Sequence, residues 1–137
     1  MMNFISKPLT SEDYKILTEY WKFWRFTPPP QSILPDNGLG GIMILDESGQ
    51  NLCAGFLYET NSKIAWIEYI VSNPNEKDKK TRNESLKYLI LELTSIAEEK
   101  GYIATFSSIK NENLINKYIE CGYVPSLGKC TELTFKI

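Results

Sequence analysis

Ile64-Ala65-Trp66-Ile67-Glu68-Tyr69-Ile70-Val71, the polar stretch Ser72 to Lys80 behind it, and the amphipathic segment from about Arg82 to Lys100 decide the architecture. The first run is rich in β-formers and is broken by a single acid, which predicts a strand buried on both faces near the centre of a sheet. In the amphipathic segment Leu86, Leu89, Ile90, Leu93, Ile96 and Ala97 make an apolar stripe at helical spacing. Thr81 and Glu84 read as a capping box that starts this helix, and Gly101 as the residue that stops it. Ile103 to Ile109 reads as the next strand. A strand joined to its neighbour through a long helix runs parallel to it, because only such a crossover returns the chain to the same end of the sheet.

Working back toward the N-terminus, Ile42-Met43-Ile44-Leu45 and Leu52 to Tyr58 read as a hairpin around Asp46-Glu47-Ser48-Gly49-Gln50, and Asn61-Ser62-Lys63 turns into the central strand. Gln31 to Gly41, with Pro35, Asp36-Asn37-Gly38 and Gly40-Gly41, reads as loop. Tyr14, Leu17, Trp21 and Trp24 recur at helical spacing in a helix capped by Thr10 or Ser11 and ended before Thr27-Pro28-Pro29-Pro30. Phe4 to Leu9 is a short first strand. Toward the C-terminus, Asn111 caps a short helix carrying Leu114, Ile115, Tyr118 and Ile119, and Gly122 stops it. Tyr123-Val124 begins another strand, and Thr131, Leu133, Phe135 and Ile137 alternate as a half-buried last one. The expectation is one α/β (α+β) domain over residues 1–137, with a mixed, mainly antiparallel sheet of about six to seven strands and about three to four flanking helices.

Composition removes several functions. The 42% hydrophobic and 23% charged content fits a soluble domain, and the net charge of -2 gives no general attraction to nucleic acid or an anionic membrane. No apolar run is long enough to span a bilayer, and the first residues lack the apolar core of a signal peptide. The three cysteines, Cys53, Cys121 and Cys130, are without metal-type spacing and point to a reducing, cytoplasmic setting. Histidine is absent, so there is no Ser-His triad and no imidazole base. Any proton transfer falls to Glu, Asp, Tyr, Cys, Lys, water or backbone.

Chemistry concentrates at the junction of the central strand and the long helix. Unpaired amides at a helix N-terminus favour a phosphate, and Lys77, Lys80 and Arg82 add charge there. Glu76, Asp78 and Glu84 in the same stretch fit equally an ordinary capped helix behind a solvated loop. Glu68 is either a base in a cleft, its pKa raised by burial, or a carboxylate paired with a Lys or Arg. Tyr118 is either a proton donor or a core residue. Tyr20, Trp21, Phe23, Trp24 and Phe26, with Arg25, form core or line a groove; Glu19 and the negative net charge weigh against a single-strand nucleic-acid platform.

Ile67-Glu68-Tyr69-Ile70-Val71-Ser72-Asn73-Pro74, Ala97-Glu98-Glu99-Lys100-Gly101-Tyr102 and the Asn111 to Tyr123 segment together resemble the GNAT superfamily of N-acetyltransferases. Nearly the whole chain, with Lys7-Pro8-Leu9-Thr10 and Leu34-Pro35-Asp36-Asn37-Gly38, looks like small GNAT-type proteins of bacteriophages. The resemblance implies acetyl-CoA as the coenzyme, Glu68 as base and Tyr118 as acid. It implies that Ile70, Val71 and Ser72 hold the pantetheine arm, and that Lys77, Lys80, Arg82, Asn83, Glu84, Ser85 and Asn111 hold the rest. It implies direct transfer to a small-molecule or peptide amine next to Trp21, Trp24 and Arg25. A homodimer stays open. The chain departs from the family's pyrophosphate loop, Arg/Gln-x-x-Gly-x-Gly/Ala, since Arg82-Asn83-Glu84-Ser85-Leu86-Lys87 has no glycine. A GNAT-fold protein without catalysis, binding a partner through its aromatic first helix, is the alternative.

Overall fold

The computed structural model describes residues 2–137. Strands β1 (Ile5–Pro8), β2 (Gly41–Leu45), β3 (Asn51–Tyr58), β4 (Ile64–Ser72) and β5 (Ala104–Phe106) form a five-stranded sheet in sequence order. The first four are antiparallel neighbours and β5 is parallel to β4, as the crossover requires. Helix α1 (Asp13–Phe23) precedes two short 3-10 turns, Gln31–Ile33 and Pro35–Gly38; α2 (Lys79–Glu99) is the crossover and α3 (Glu112–Glu120) follows β5.

Side-chain alternation along the strands divides the core into two layers. Ile42, Ile44, Leu57, Ala65 and Ile67 meet Leu86, Leu89, Ile90 and Leu93 of α2 on one face. Met43, Ala54, Phe56 and Val71 meet Leu17, Tyr20 and Trp21 of α1 on the other. Burial of each large side chain stabilises the fold by roughly 1.5–3 kcal/mol, which is why the two stripes dock these helices. No helix is long and apolar enough to cross a membrane among the described residues.

Several expected boundaries move. Helix α2 starts before the proposed Thr81–Glu84 box: Asp78 is its N-cap and accepts from Thr81 N (3.1 Å) and Thr81 Oγ1 (2.6 Å). A carboxylate is the stronger acceptor, so it takes the cap, and Glu84 pairs with Lys87 instead (3.2 Å). At α1 neither Thr10 nor Ser11 caps through its side chain. The buried Asp13 carboxylate reaches back to Thr10 N (2.8 Å) and Lys7 Nζ (3.1 Å). Burial pushes Asp13 up, but those contacts outweigh it and hold it below the usual carboxylate range. Asn111 caps α3 as expected, accepting from Leu114 N (3.0 Å).

Helix α1 ends at Phe23, short of the prolines. Phe26 N donates to Trp21 O and Arg25 N to Lys22 O, with Arg25 at φ 59°, so the closing left-handed position is held by an arginine where glycine is usual. Arg25→Gly is expected to raise stability by ~1 kcal/mol, read as a higher urea midpoint at unchanged slope.

The two predicted C-terminal strands do not form. β5 is three residues long, and residues 124–137 have no strand pairing and expose Leu133, Phe135 and Ile137. Alternation marks which side chains would share a face, but a strand exists only where an edge receives its backbone bonds. The central strand is also less covered than expected, with Trp66 at 36% exposure. A groove of about 840 Å³ runs along β5 and α3, bordered by Thr105, Ile115 and Tyr118. All three cysteines are free thiols, Cys53 buried and Cys130 exposed.

Candidate active site

β4 and β5 pair at Ile64↔Ala104, Ala65↔Thr105 and Trp66↔Phe106, and there the pairing ends. β4 continues to Ser72 with no strand on that side. A bulge shapes the continuation: Phe56 faces Glu68 and Ala54 faces Val71, so Gly55 alone opposes Tyr69 and Ile70. Tyr69 has φ 58°, a left-handed conformation that costs an ordinary residue about 1–2 kcal/mol. Its ring is held by Trp21, Tyr58 and Phe26, with centroids 6.5, 6.3 and 6.4 Å away. Gly55 is needed opposite, since a Cβ would lie 3.0 Å from Ile70 Cγ1 and 3.1 Å from Leu93 Cδ1.

Asn73 N donates to Leu52 O on β3 (2.9 Å). Backbone groups alternate sides along a strand, so Ser72 and Ile70 direct their amides to the open side and Val71 directs its own to β3. Among the three strand residues expected to hold a ligand, two therefore offer amides to the split. Val71 instead contributes its buried side chain to the core.

Glu68 sits where the strands part. Its carboxylate accepts from Ser108 N (2.8 Å) across the split and pairs with no Lys or Arg among the described residues. Burial raises its pKa above the usual carboxylate value, the Ser108 amide opposes this, and the Glu132 charge adds to it. Tyr118 is 4% exposed, and burial pushes its phenol well above the ordinary range, so it stays protonated. Ser107 Oγ lies 2.7 Å from Tyr118 OH and also bonds Ile67 O. Ser107 Oγ is the donor to both oxygens, so its single proton is shared between Ile67 O and Tyr118 OH, and the phenol keeps its own proton free. The Tyr123 ring stands edge-on to Tyr118 at 4.9 Å, and Tyr123 OH bonds Thr94 and Thr105. Glu68 and Tyr118 thus meet the same two-residue stretch, Ser107-Ser108. These serines were missed from the sequence, where the signal was two small polar residues inside an apolar run.

The mouth of the split lies between the end of α1 and the start of α2. Trp24 Nε1 donates to Ser72 O (2.9 Å), the Arg82 guanidinium lies 5.0 Å from the Trp24 ring centre, and Lys77 Nζ lies 5.6 Å from the Phe23 ring centre. Lys77, Lys80 and Arg82 join no ion pair among the described residues, and Asn83 is half-buried at the start of the second turn of α2. Glu84 is turned to Lys87. Ser85 is buried, and its hydroxyl donates to Arg82 O (3.0 Å). It therefore acts as the small residue that lets α2 approach β3, where Cys53 Sγ meets its carbonyl. Asn111 is occupied by its cap.

The three expected acceptor contacts separate. Trp21 is 2% exposed and stacks on Phe56 with centroids 6.4 Å apart, so it is core. Helical spacing signals a shared face but not which members lie at its middle, and Trp21 does. Trp24 is at the mouth of the split, bonded to Ser72 O, and Arg25 is exposed on the turn that closes α1.

No family model matches the sequence, and no curated protein matches it. Solved structures do resemble it: a probable acetyltransferase at 16% identity and TM-score 0.67, covering 98% of this chain and 99% of its own. A GNAT superfamily phosphinothricin acetyltransferase from Sinorhizobium meliloti, in complex with acetyl-CoA, is 18% identical with TM-score 0.68 over 88% of this chain and 75% of its own. Glucosamine-6-phosphate N-acetyltransferase from Arabidopsis thaliana is 14% identical with TM-score 0.62 over 96% and 98%. Similarity of this kind establishes the GNAT-like fold.

Proposed function

Proceeding from that fold, we propose that the chain is an N-acetyltransferase that moves acetyl from acetyl-CoA to a primary amine by direct transfer. The observation that carries this is the parting of β4 from β5 beyond Trp66↔Phe106, with Glu68 and Tyr118 both anchored at Ser107-Ser108 beside it. The residues fit the coenzyme: the open amides of Ile70 and Ser72 suit an extended amide-bearing arm, and Lys77 and Arg82 at the α2 N-terminus suit phosphates. Trp24 must release or share Ser72 O for the arm to pair there. The missing glycines matter less than the sequence suggests, because Glu84 is engaged by Lys87 and Ser85 is small enough for close helix packing.

When bound, the coenzyme supplies the acetyl group as a thioester. Glu68 accepts a proton from the acceptor ammonium, directly or through a water, leaving a nucleophilic amine. The Ile70 amide, the one nearer the split, polarises the carbonyl that is attacked, and the Ser72 amide is left to pair with the arm. Tyr118, kept protonated by burial, delivers a proton toward the departing sulfur, with Ser107 holding the phenol in place. Cys53 is no nucleophile: it is fully buried, and burial pushes its thiol up to about 12.

Calorimetric titration with acetyl-CoA tests this. Binding should also raise thermal stability, by ~2.7 kcal/mol at a hundredfold excess over the dissociation constant. No heat and no shift at millimolar coenzyme would overturn it.

A further inference from the structure

Trp66 and Phe106 form a tilted aromatic pair, centroids 5.0 Å apart and planes at 30°, yet stay 36% and 47% exposed. They lie on the α1 side of the sheet, beyond the area α1 covers: Tyr58 is opposite Trp66, and Phe56, opposite Glu68, packs on Trp21. Residues two apart on a strand share a face, so Glu68 stands on the same face as Trp66, ~7 Å farther along the strand and at the split. Tyr58 extends the aromatic strip, its hydroxyl fixed on Ile33 O (2.8 Å). Flat rings left in water beside an unpaired carboxylate favour a ligand with a flat apolar frame and a positive end.

Resting on the transferase assignment above, we infer that the acceptor is an arylalkyl primary amine, whose ring lies on Trp66 and Phe106 while its ammonium reaches Glu68. The spacing of ~7 Å suits a linker of about two to three atoms between ring and nitrogen. The negative charge of Glu68, with that of Glu132 close enough to act on it, disfavours anionic acceptors.

The test compares phenethylamine and butylamine as acceptors with the full chain and acetyl-CoA, following thiol release. Phenethylamine should exceed butylamine at least tenfold in kcat/KM, mainly through KM. Trp66→Ala and Phe106→Ala should bring that ratio close to one, and Trp66→Phe should keep most of it; both sites are partly exposed, and circular dichroism checks the fold. The Trp66 indole N–H resonance, followed by NMR without coenzyme, should shift with phenethylamine and not with butylamine. Equal rates for the two amines, a preference that survives both alanine variants, or an indole signal indifferent to phenethylamine would each overturn the inference. Failure of acetyl-CoA to bind, with the indole still shifting, would instead overturn the transferase assignment and leave the aryl-amine site standing.

Discussion

Glu68→Gln is expected to lower kcat for acetyl transfer by about a hundred- to ten-thousand-fold, the range a positioned general base contributes. The substitution keeps the shape of the side chain and an oxygen to accept from Ser108 N, so the split should stay intact and acetyl-CoA should bind as before. The pH profile adds a second readout. A base acts only when deprotonated, and burial holds Glu68 above the ordinary carboxylate value. The acidic limb of kcat/KM should therefore lie at higher pH than a free glutamate would give, and should disappear in the variant. Tyr118, displaced upward, keeps its proton through neutral pH, so the alkaline limb should lie above the usual tyrosine range. Stopped assays of thiol release with a primary amine across pH measure both limbs. Unchanged turnover in Glu68→Gln would remove the assigned base.

Trp21→Ala should destabilise the fold by about 3–5 kcal/mol, as expected for truncating a fully buried large aromatic. Against a total of about 5–15 kcal/mol for a domain, this is a large share. The indole fills the space between α1 and the sheet, against Phe56 and the edge of Tyr69. Its loss therefore also frees the Tyr69 ring that holds the left-handed bulge, so the site should loosen along with the core. Urea unfolding should show a much lower midpoint. A variant of near-native stability with a raised KM for amine would return Trp21 to the acceptor site.

Where sequence and structure diverge, the cause is contact between segments distant in the chain. The three-residue offset between Thr81 and the true cap Asp78 is a competition between neighbouring acceptors, settled by which reached the free amides. The last strand was legible as an alternation, yet Thr131 to Ile137 finds no edge on β5. Ser107 and Ser108 carry no motif of their own. They gain meaning only because β5 ends beside Glu68 on one side and α3 brings Tyr118 to the other. Ser85 and Asn111 looked like ligand contacts because of where they stand in the resemblance, and each proves engaged by its own helix.

Periodicity, caps and the strand–helix–strand order were enough, without coordinates, to establish a mixed sheet with a parallel crossover after β4 and to single out Glu68 and Tyr118. Those signals are local, set by backbone preference and by which side chains share a face. The tertiary structure alone decided that β4 and β5 separate after Trp66, that Tyr69 takes a left-handed turn opposite Gly55, and that Trp21 is core while Trp66 faces water. These depend on packing between residues far apart in sequence, where a carboxylate's neighbours, and hence its chemistry, are set by three-dimensional proximity.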